Sequence, residues 1–303
     1  MTDMPDPVRR FVDSAIGPFT ITAVHSWAGP GRPAVWEVEA VDGRRLFVKH
    51  HASPKGYSRE TFAYRYWTSA LGESRAPTQL AADPATRAIV LTSVPGRSLH
   101  DQPLGLDSEW VAYRQAGELL ARLHNIALPA PADRATAAGW EAEVARMLRN
   151  AAPILPPHDV ALLRALTLQP PPALPEVVAH ADYMPRNWLW DPHTERLHII
   201  DFERTGIECA ARRDLSRLEY RLFAQRPDLR FAFYQGYGRA LTDGERRACS
   251  AYAALDAVSA LRWGQEHHDD EAVQQARTML DALRAEPTVA GSSSAGEGEV
   301  SGA

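Results

Sequence analysis

The sequence predicts an α+β fold in two unequal parts, and three observations carry that expectation. Residues 19–94 are dominated by short, β-branched, partly alternating runs, the period-two signature of strands. Beyond Gly96 the apolar residues fall at helical spacing instead. Between the two regimes stands Pro95–Gly96, which ends one buried run and opens the other pattern.

Residues 1–16 read as a short helix, with Pro7 near its start and Gly17 after it. FTITAVHSW, VWEVEAV and RRLFVKH then read as strands. Gly29, Pro30 and Gly31 mark the first connection, and Asp42–Gly43 is a hairpin-turn signal in the second. SRETFAYRYWTSAL follows as a helix with Ser58 as its cap, then TRAIVLTSV as a buried strand. In EWVAYRQAGELLARLHNI, Val111, Leu119, Leu120 and Leu123 share one helical face. GWEAEVARMLRNA and HDVALLRALTL are two further helices. PEVVAH is a short strand, and ADYMPRN a loop from which Pro185 excludes a helix interior. WLWD, the turn DPHTE and RLHIIDF complete a hairpin. Helices are expected from Asp214 to Phe223, from Arg230 to Leu241, and over 244–263 and 270–285. The closing PTVAGSSSAGEGEVSGA is too small and polar to bury a core and is expected to be disordered. The expected organisation is a strand-rich part over 1–96, a helical part over 97–286 and a tail over 287–303.

Composition narrows the function. A net charge of −5 argues against a dedicated nucleic-acid binder, which shows a basic surplus. The two cysteines, Cys209 and Cys249, make no metal-ligand pair and suit a reducing compartment. No run reaches the length of a membrane span, and MTDMPDPVRR lacks a signal-type apolar stretch, so a cytoplasmic location is expected. Only two lysines occur, Lys49 and Lys55, among plentiful arginines. A lysine kept against that bias suggests a position where arginine would not serve.

The chemistry concentrates in VVAHADYMPRNWLWDPHTERLHIIDFERTG, residues 177–206. The hairpin should draw Asp182, Asn187 and Asp201 together, although 19 residues separate the outer pair. Oxygen ligands of this kind suit magnesium, which takes one or two carboxylates plus substrate phosphates. A carboxylate that does not bind the metal can accept a proton from a substrate hydroxyl. Base, amide ligand and bridging carboxylate together are the parts for phosphoryl transfer to an alcohol.

HADYMPRN followed by IIDFE resembles the catalytic segment of the aminoglycoside phosphotransferase and choline kinase superfamily, whose usual form is HGDxxxxN followed by D-F or D-W. The resemblance covers residues 19–285, with Ala181 in place of the common glycine and Glu203 at the glycine position of D-F-G. It implies a bilobal, protein-kinase-like fold, with a small antiparallel-sheet lobe carrying one main helix and a larger helical lobe. It implies Asp182 as catalytic base, Asn187 and Asp201 as ligands of Mg2+, and ATP or GTP as co-substrate. Lys49 would grip the α- and β-phosphates and pair with Glu60. The Thr92 carbonyl and Val94 amide would meet the base at a hinge, and the AGPGRP loop, residues 28–33, would cover the phosphates. Asp214 would brace the catalytic loop through backbone amides, His180 would pack and hydrogen-bond within it, and Arg186 could touch a phosphate.

The resemblance implies a small hydroxylated acceptor. The antibiotic branch is expected, with aminoglycoside, peptide or nucleoside drugs as candidates. Metabolic kinases of the choline, homoserine or methylthioribose type are the alternative, and a non-catalytic nucleotide-binding protein a third. No A-P-E follows I-I-D-F-E, which disfavours a protein kinase. Glu266, Asp269 and Asp270, with Trp263 and Glu203, are candidate acceptor contacts for a cationic substrate.

Overall fold

The computed structural model describes residues 3–25, 33–128 and 137–286. Residues 28–32 of the AGPGRP loop and all of 287–303 lie outside these, so neither expectation is addressed.

The first part is an antiparallel five-stranded sheet in the order β1-β2-β3-β5-β4. Its strands are β1 (Phe19–Val24), β2 (Ala34–Ala40), β3 (Arg45–His50), β4 (Gln79–Asp83) and β5 (Ala88–Thr92). Alternation assigns the two faces. Leu46, Val48, Ala88 and Val90 form a core with Met4, Val8 and Val12, so helix α1 (Asp6–Ile16) packs there. Ile89 and Leu91 point the other way, into the main core with Ala63 and Tyr64 of helix α2 (Pro54–Tyr66). Lys49 lies opposite Ile89 in the β3–β5 register and shares that second face. The period-two rule thus aims Lys49 at α2.

Helix α2 starts earlier than its sequence suggested. Ser53, not Ser58, is the cap: its Oγ accepts from Gly56 N at 3.1 Å, and Pro54 follows in the first helical position. Strand β4, not expected from TQLAAD, exists because β5 offers it a free edge.

Beyond Gly96, β6 (Arg97–Ser98) pairs with β8 (Trp188–Asp191), which pairs with β9 (Arg196–Ile199). Gly96 has φ +103°, and a Cβ there would lie 2.5 Å from the Trp190 carbonyl, so only glycine fits. A second pair joins β7 (Glu176–Ala179) to β10 (Gly206–Cys209). The helices are α3 (Leu106–His124), α4 (Ala137–Ala151), α5 (Pro157–Leu166), α6 (Pro227–Tyr237), α7 (Asp243–His267) and α8 (Asp270–Ala285). The segment expected as a helix from Asp214 to Phe223 consists of wide π-type turns over Ala211–Leu215 and Leu218–Phe223. Such turns are rare and gather at functional sites. No helix among the described residues is long and apolar enough to cross a membrane. The result is a small antiparallel-sheet part against a larger, mainly helical part.

Candidate active site

The catalytic-loop candidate joins β7 to β8 and is fixed from behind by one buried carboxylate. Asp214 accepts hydrogen bonds from the backbone amides of His180 (2.8 Å) and Ala181 (2.7 Å), and His124 Nε2 lies 3.1 Å from it. Ala181 sits at φ +64°, a conformation that costs a non-glycine residue and needs such restraint. His180 is fully buried; its Nε2 lies 3.1 Å from the Ile200 carbonyl and its ring packs on Phe202 and Tyr183. The loop is thereby tied to the segment that delivers Asp201, itself at φ +67°.

Asp182 is buried against a polar frame. The Asn187 amide nitrogen donates to the Asp182 carbonyl at 2.9 Å and to its Oδ2 at 3.2 Å. With the nitrogen turned that way, the Asn187 amide oxygen faces away from Asp182 and suits a hard cation. Arg186 pairs with Asp182 Oδ1, and Arg217 Nη1 lies 3.4 Å from the same oxygen. Burial works against ionisation, but the charges of Arg186, Arg204 and Arg217 outweigh it and hold the carboxyl well below the usual range.

A second cluster surrounds Lys49. Its Nζ lies 2.6 Å from Asp201 Oδ1, 2.9 Å from Glu60 Oε2 and 3.3 Å from Glu203 Oε2. Burial pulls the ammonium down, yet Asp201, Glu60 and Glu203 more than offset it, and its pKa stays well above normal. Glu60 is fully buried and stays ionised below its ordinary range, because Lys49 and His51 outweigh desolvation. Glu203 is shifted the other way: burial, with Asp201 and Glu60 nearby, raises it despite Lys49. Three carboxylates around one ammonium leave net negative charge, which a divalent cation on Asp201 and Asn187 would offset.

The structure therefore brings Lys49, Glu60, Asp201 and Glu203 together, and Asp182 with Asn187. Thr92 ends β5, its amide bonded to the Thr78 carbonyl at 2.9 Å, and Val94 is buried just beyond it. Trp263, Glu266, Asp269 and Asp270 form a separate group at the α7–α8 turn. There Glu266 pairs with Arg262 at 2.6 Å, Asp269 caps α8 through Ala272 N at 2.9 Å, and Trp263 stacks on His267. Residues that sequence reasoning missed are His51, with Nε2 3.0 Å from Glu60 Oε2, and Arg217, shared between Asp182 and Asp256. The paired histidines after the apolar strand were the available signal for His51; Arg217 had none.

The sequence profile described as the phosphotransferase enzyme family matches residues 29–248, most of the chain. The chain belongs to the phosphotransferase enzyme family. Solved structures agree on the fold across nearly the whole length. The GDP and kanamycin complex of APH(2")-IIia is similar with a TM-score of 0.66 at 15% identity, covering 91% of this chain and 98% of that one. Spectinomycin phosphotransferase APH(9)-Ia, in complex with ADP and spectinomycin, gives 0.65 at 14% identity, over 94% and 99%. Macrolide 2'-phosphotransferase MphH from Brachybacterium faecium gives 0.59 at 15% identity, over 93% and 99%. No curated protein sequence matches. The fold of this phosphotransferase-family chain is thus the protein-kinase-like one.

Proposed function

We propose that this member of the phosphotransferase enzyme family is an O-phosphotransferase that moves the γ-phosphate of ATP or GTP to a hydroxyl of a small molecule, an antibiotic. One observation supports the reading: Lys49 pairs with Asp201, Asp182 with Asn187, and the Ile200 amide donates to the Asn187 carbonyl at 3.1 Å, which ties the two pairs into the ammonium, carboxylate and amide set that suits a magnesium–nucleotide. The similar structures that hold kanamycin or spectinomycin support the antibiotic acceptor.

The sheet part, 1–96, holds the nucleotide, and the helical part, 97–286, presents the acceptor. Lys49, steadied by Glu60, fixes the donor phosphates once they displace its contact to Asp201. Asn187 and Asp201 would hold Mg2+, which would supply positive charge against the donor phosphates. Asp182 orients the acceptor hydroxyl and takes its proton as the new bond forms. A carboxylate with a depressed pKa is a weak base, so its main contribution is position, in keeping with a reaction catalysed by alignment and charge. Asp214 acts through the loop rather than on substrate.

The test is a coupled nucleotide-consumption screen over hydroxylated antibiotics and metabolites, run with ATP and with GTP. Consumption with one antibiotic class, and raised tolerance to that class in a sensitive host, is expected. Efficient turnover of choline, homoserine or a similar metabolite with no drug turned over would replace the antibiotic reading.

A further inference from the structure

The surroundings of Asp182 are rich in guanidinium groups. Arg217 is the link: its Nη1 lies 3.4 Å from Asp182 Oδ1, and its Nη2 lies 3.2 Å from Asp256 Oδ1 on α7. Beside Arg217 opens a cavity of about 290 Å³ between α4, α7 and the π-type turns. Its wall carries Arg146, Arg212, Arg213 and Arg217 against only two carboxylates, Glu143 and Asp256.

These cations are held in place. Arg212 reaches both oxygens of Glu143, at 3.0 and 3.2 Å, and its guanidinium lies 5.3 Å from the centre of the Tyr252 ring. Arg213 pairs with Glu208 at 2.8 Å. Arg146 is exposed, and Glu143, already engaged by Arg212, approaches it only to 4.0 Å. With the carboxylates these four engage, and with Arg186 and Arg221, which share Asp182 and Asp256 with Arg217, six guanidiniums face four carboxylates (Glu143, Asp182, Glu208 and Asp256), in a chain whose net charge is −5. The local excess is not inherited from composition. Clustered like charges repel, and an anionic ligand relieves that repulsion. Arginine forks match carboxylate and phosphate oxygens in pairs, which gives direction as well as charge. Arg186 pairs with Asp182 directly and does not line the cavity, so a donor phosphate at Arg186 leaves this excess unexplained.

We propose that this cavity is the acceptor subsite and that it takes an acceptor bearing an acidic oxyanion group, a carboxylate or phosphate, whose hydroxyl then reaches Asp182. The inference rests on the phosphotransferase reading and narrows its acceptor class. Its size suits a small acceptor, or the acidic end of a larger one. Polycationic drugs have the wrong charge for it. The acidic group at the α7–α8 turn does not restore the opposite preference: Glu266 lies ten residues past Asp256, about 15 Å along α7, and is neutralised by Arg262.

The test uses the full chain with its nucleotide site saturated by magnesium and a non-hydrolysable ATP analogue. Glycerate, glycerol 3-phosphate, glycerol and kanamycin are titrated by calorimetry. At least one of the two anions should bind and uncharged glycerol should not; which anion binds separates carboxylate from phosphate. Arg146→Glu, at an exposed position that leaves folding intact, and Arg213→Gln should each weaken that binding tenfold or more. The proposal is overturned if neither anion binds, if both variants bind as wild type does, or if kanamycin binds more tightly than either anion. A protein that binds the magnesium–nucleotide but neither anion loses this proposal and keeps the phosphotransferase reading. One that binds the anion in the cavity but no nucleotide keeps the charge preference and loses that reading.

Discussion

The candidate catalytic loop hangs on Asp214. Its carboxylate is fully buried and takes the amides of two consecutive residues, one of them the left-handed Ala181. Removing the acceptor leaves two buried N–H groups without partners, each costing about 1–3 kcal/mol. Asp214→Ala should therefore lose about 3 kcal/mol in urea unfolding and drop turnover by more than tenfold. Stability within about 0.5 kcal/mol of wild type, the range of an ordinary surface change, would contradict the brace. Asp182, Asn187, Asp201 and Lys49 were legible as residues because short local patterns fix them: one loop, one hairpin, one strand end. His51, Arg217 and Asp256 were not, because their roles arise from contacts between distant segments that no spacing encodes.

Between elements, two contacts hold the helical part together. Helices α3 and α6 cross on a pair of glycines: a Cβ on Gly117 would lie 1.9 Å from the Phe233 carbonyl oxygen, and one on Gly236 1.8 Å from that of Arg114. The same α3 presents His124 to Asp214 and, through Nδ1, to the Tyr237 hydroxyl at 2.8 Å. Alanine gains about 1 kcal/mol in helix propensity, but here the backbones would have to part. Gly236→Ala should cost about 2 kcal/mol or more, in the range of overpacked cores. A thermal melt showing equal or higher stability would refute the crossing. The second contact joins α5 to α8. Arg284 donates to both oxygens of the buried Asp159, at 2.8 and 2.6 Å, and these bonds hold the carboxyl below its usual range against desolvation. A depressed folded pKa gives stability that is present above the unfolded value and lost as pH falls through the folded one. Arg284→Met should lower Tm at pH 7, and the deficit should shrink as pH falls below the ordinary carboxylate range, through the depressed pKa of Asp159 in the wild type. A deficit independent of pH would show that packing, not the ion pair, is responsible. Helix periodicity foretold most of these elements. The short strands β4 and β10 escaped because four or five residues of mixed character become strands only when a neighbouring edge accepts them.

At the scale of the molecule, the two parts must hold Lys49 against Asp201. The connection after α2 does much of this. Arg75 Nη1 donates to Gln115 Oε1 at 2.7 Å and to the Leu197 carbonyl at 2.9 Å, and Ile199 N donates to the Arg75 carbonyl at 2.8 Å. Strand β9, which leads into Asp201, is thus gripped by residues that follow α2, the helix of Glu60. Arg75→Met should loosen that register and lower turnover by roughly ten- to a hundredfold, as small misplacements do. Unchanged turnover would mean the clamp is redundant. The two-part outline was legible from the shift in periodicity at Pro95–Gly96. The clamp was not, because Arg75 sits in a loop with nothing local to mark it.

In the proposed function Asp182 serves the acceptor, while Lys49, Asn187 and Asp201 serve the nucleotide. The most direct measurement pairs calorimetric magnesium–nucleotide binding with turnover in Asp182→Asn. Nucleotide affinity should stay near wild type while turnover falls by at least about a hundredfold, the usual share of a general base. A variant that keeps near-normal turnover, or that loses nucleotide binding to the same degree as turnover, would contradict the account.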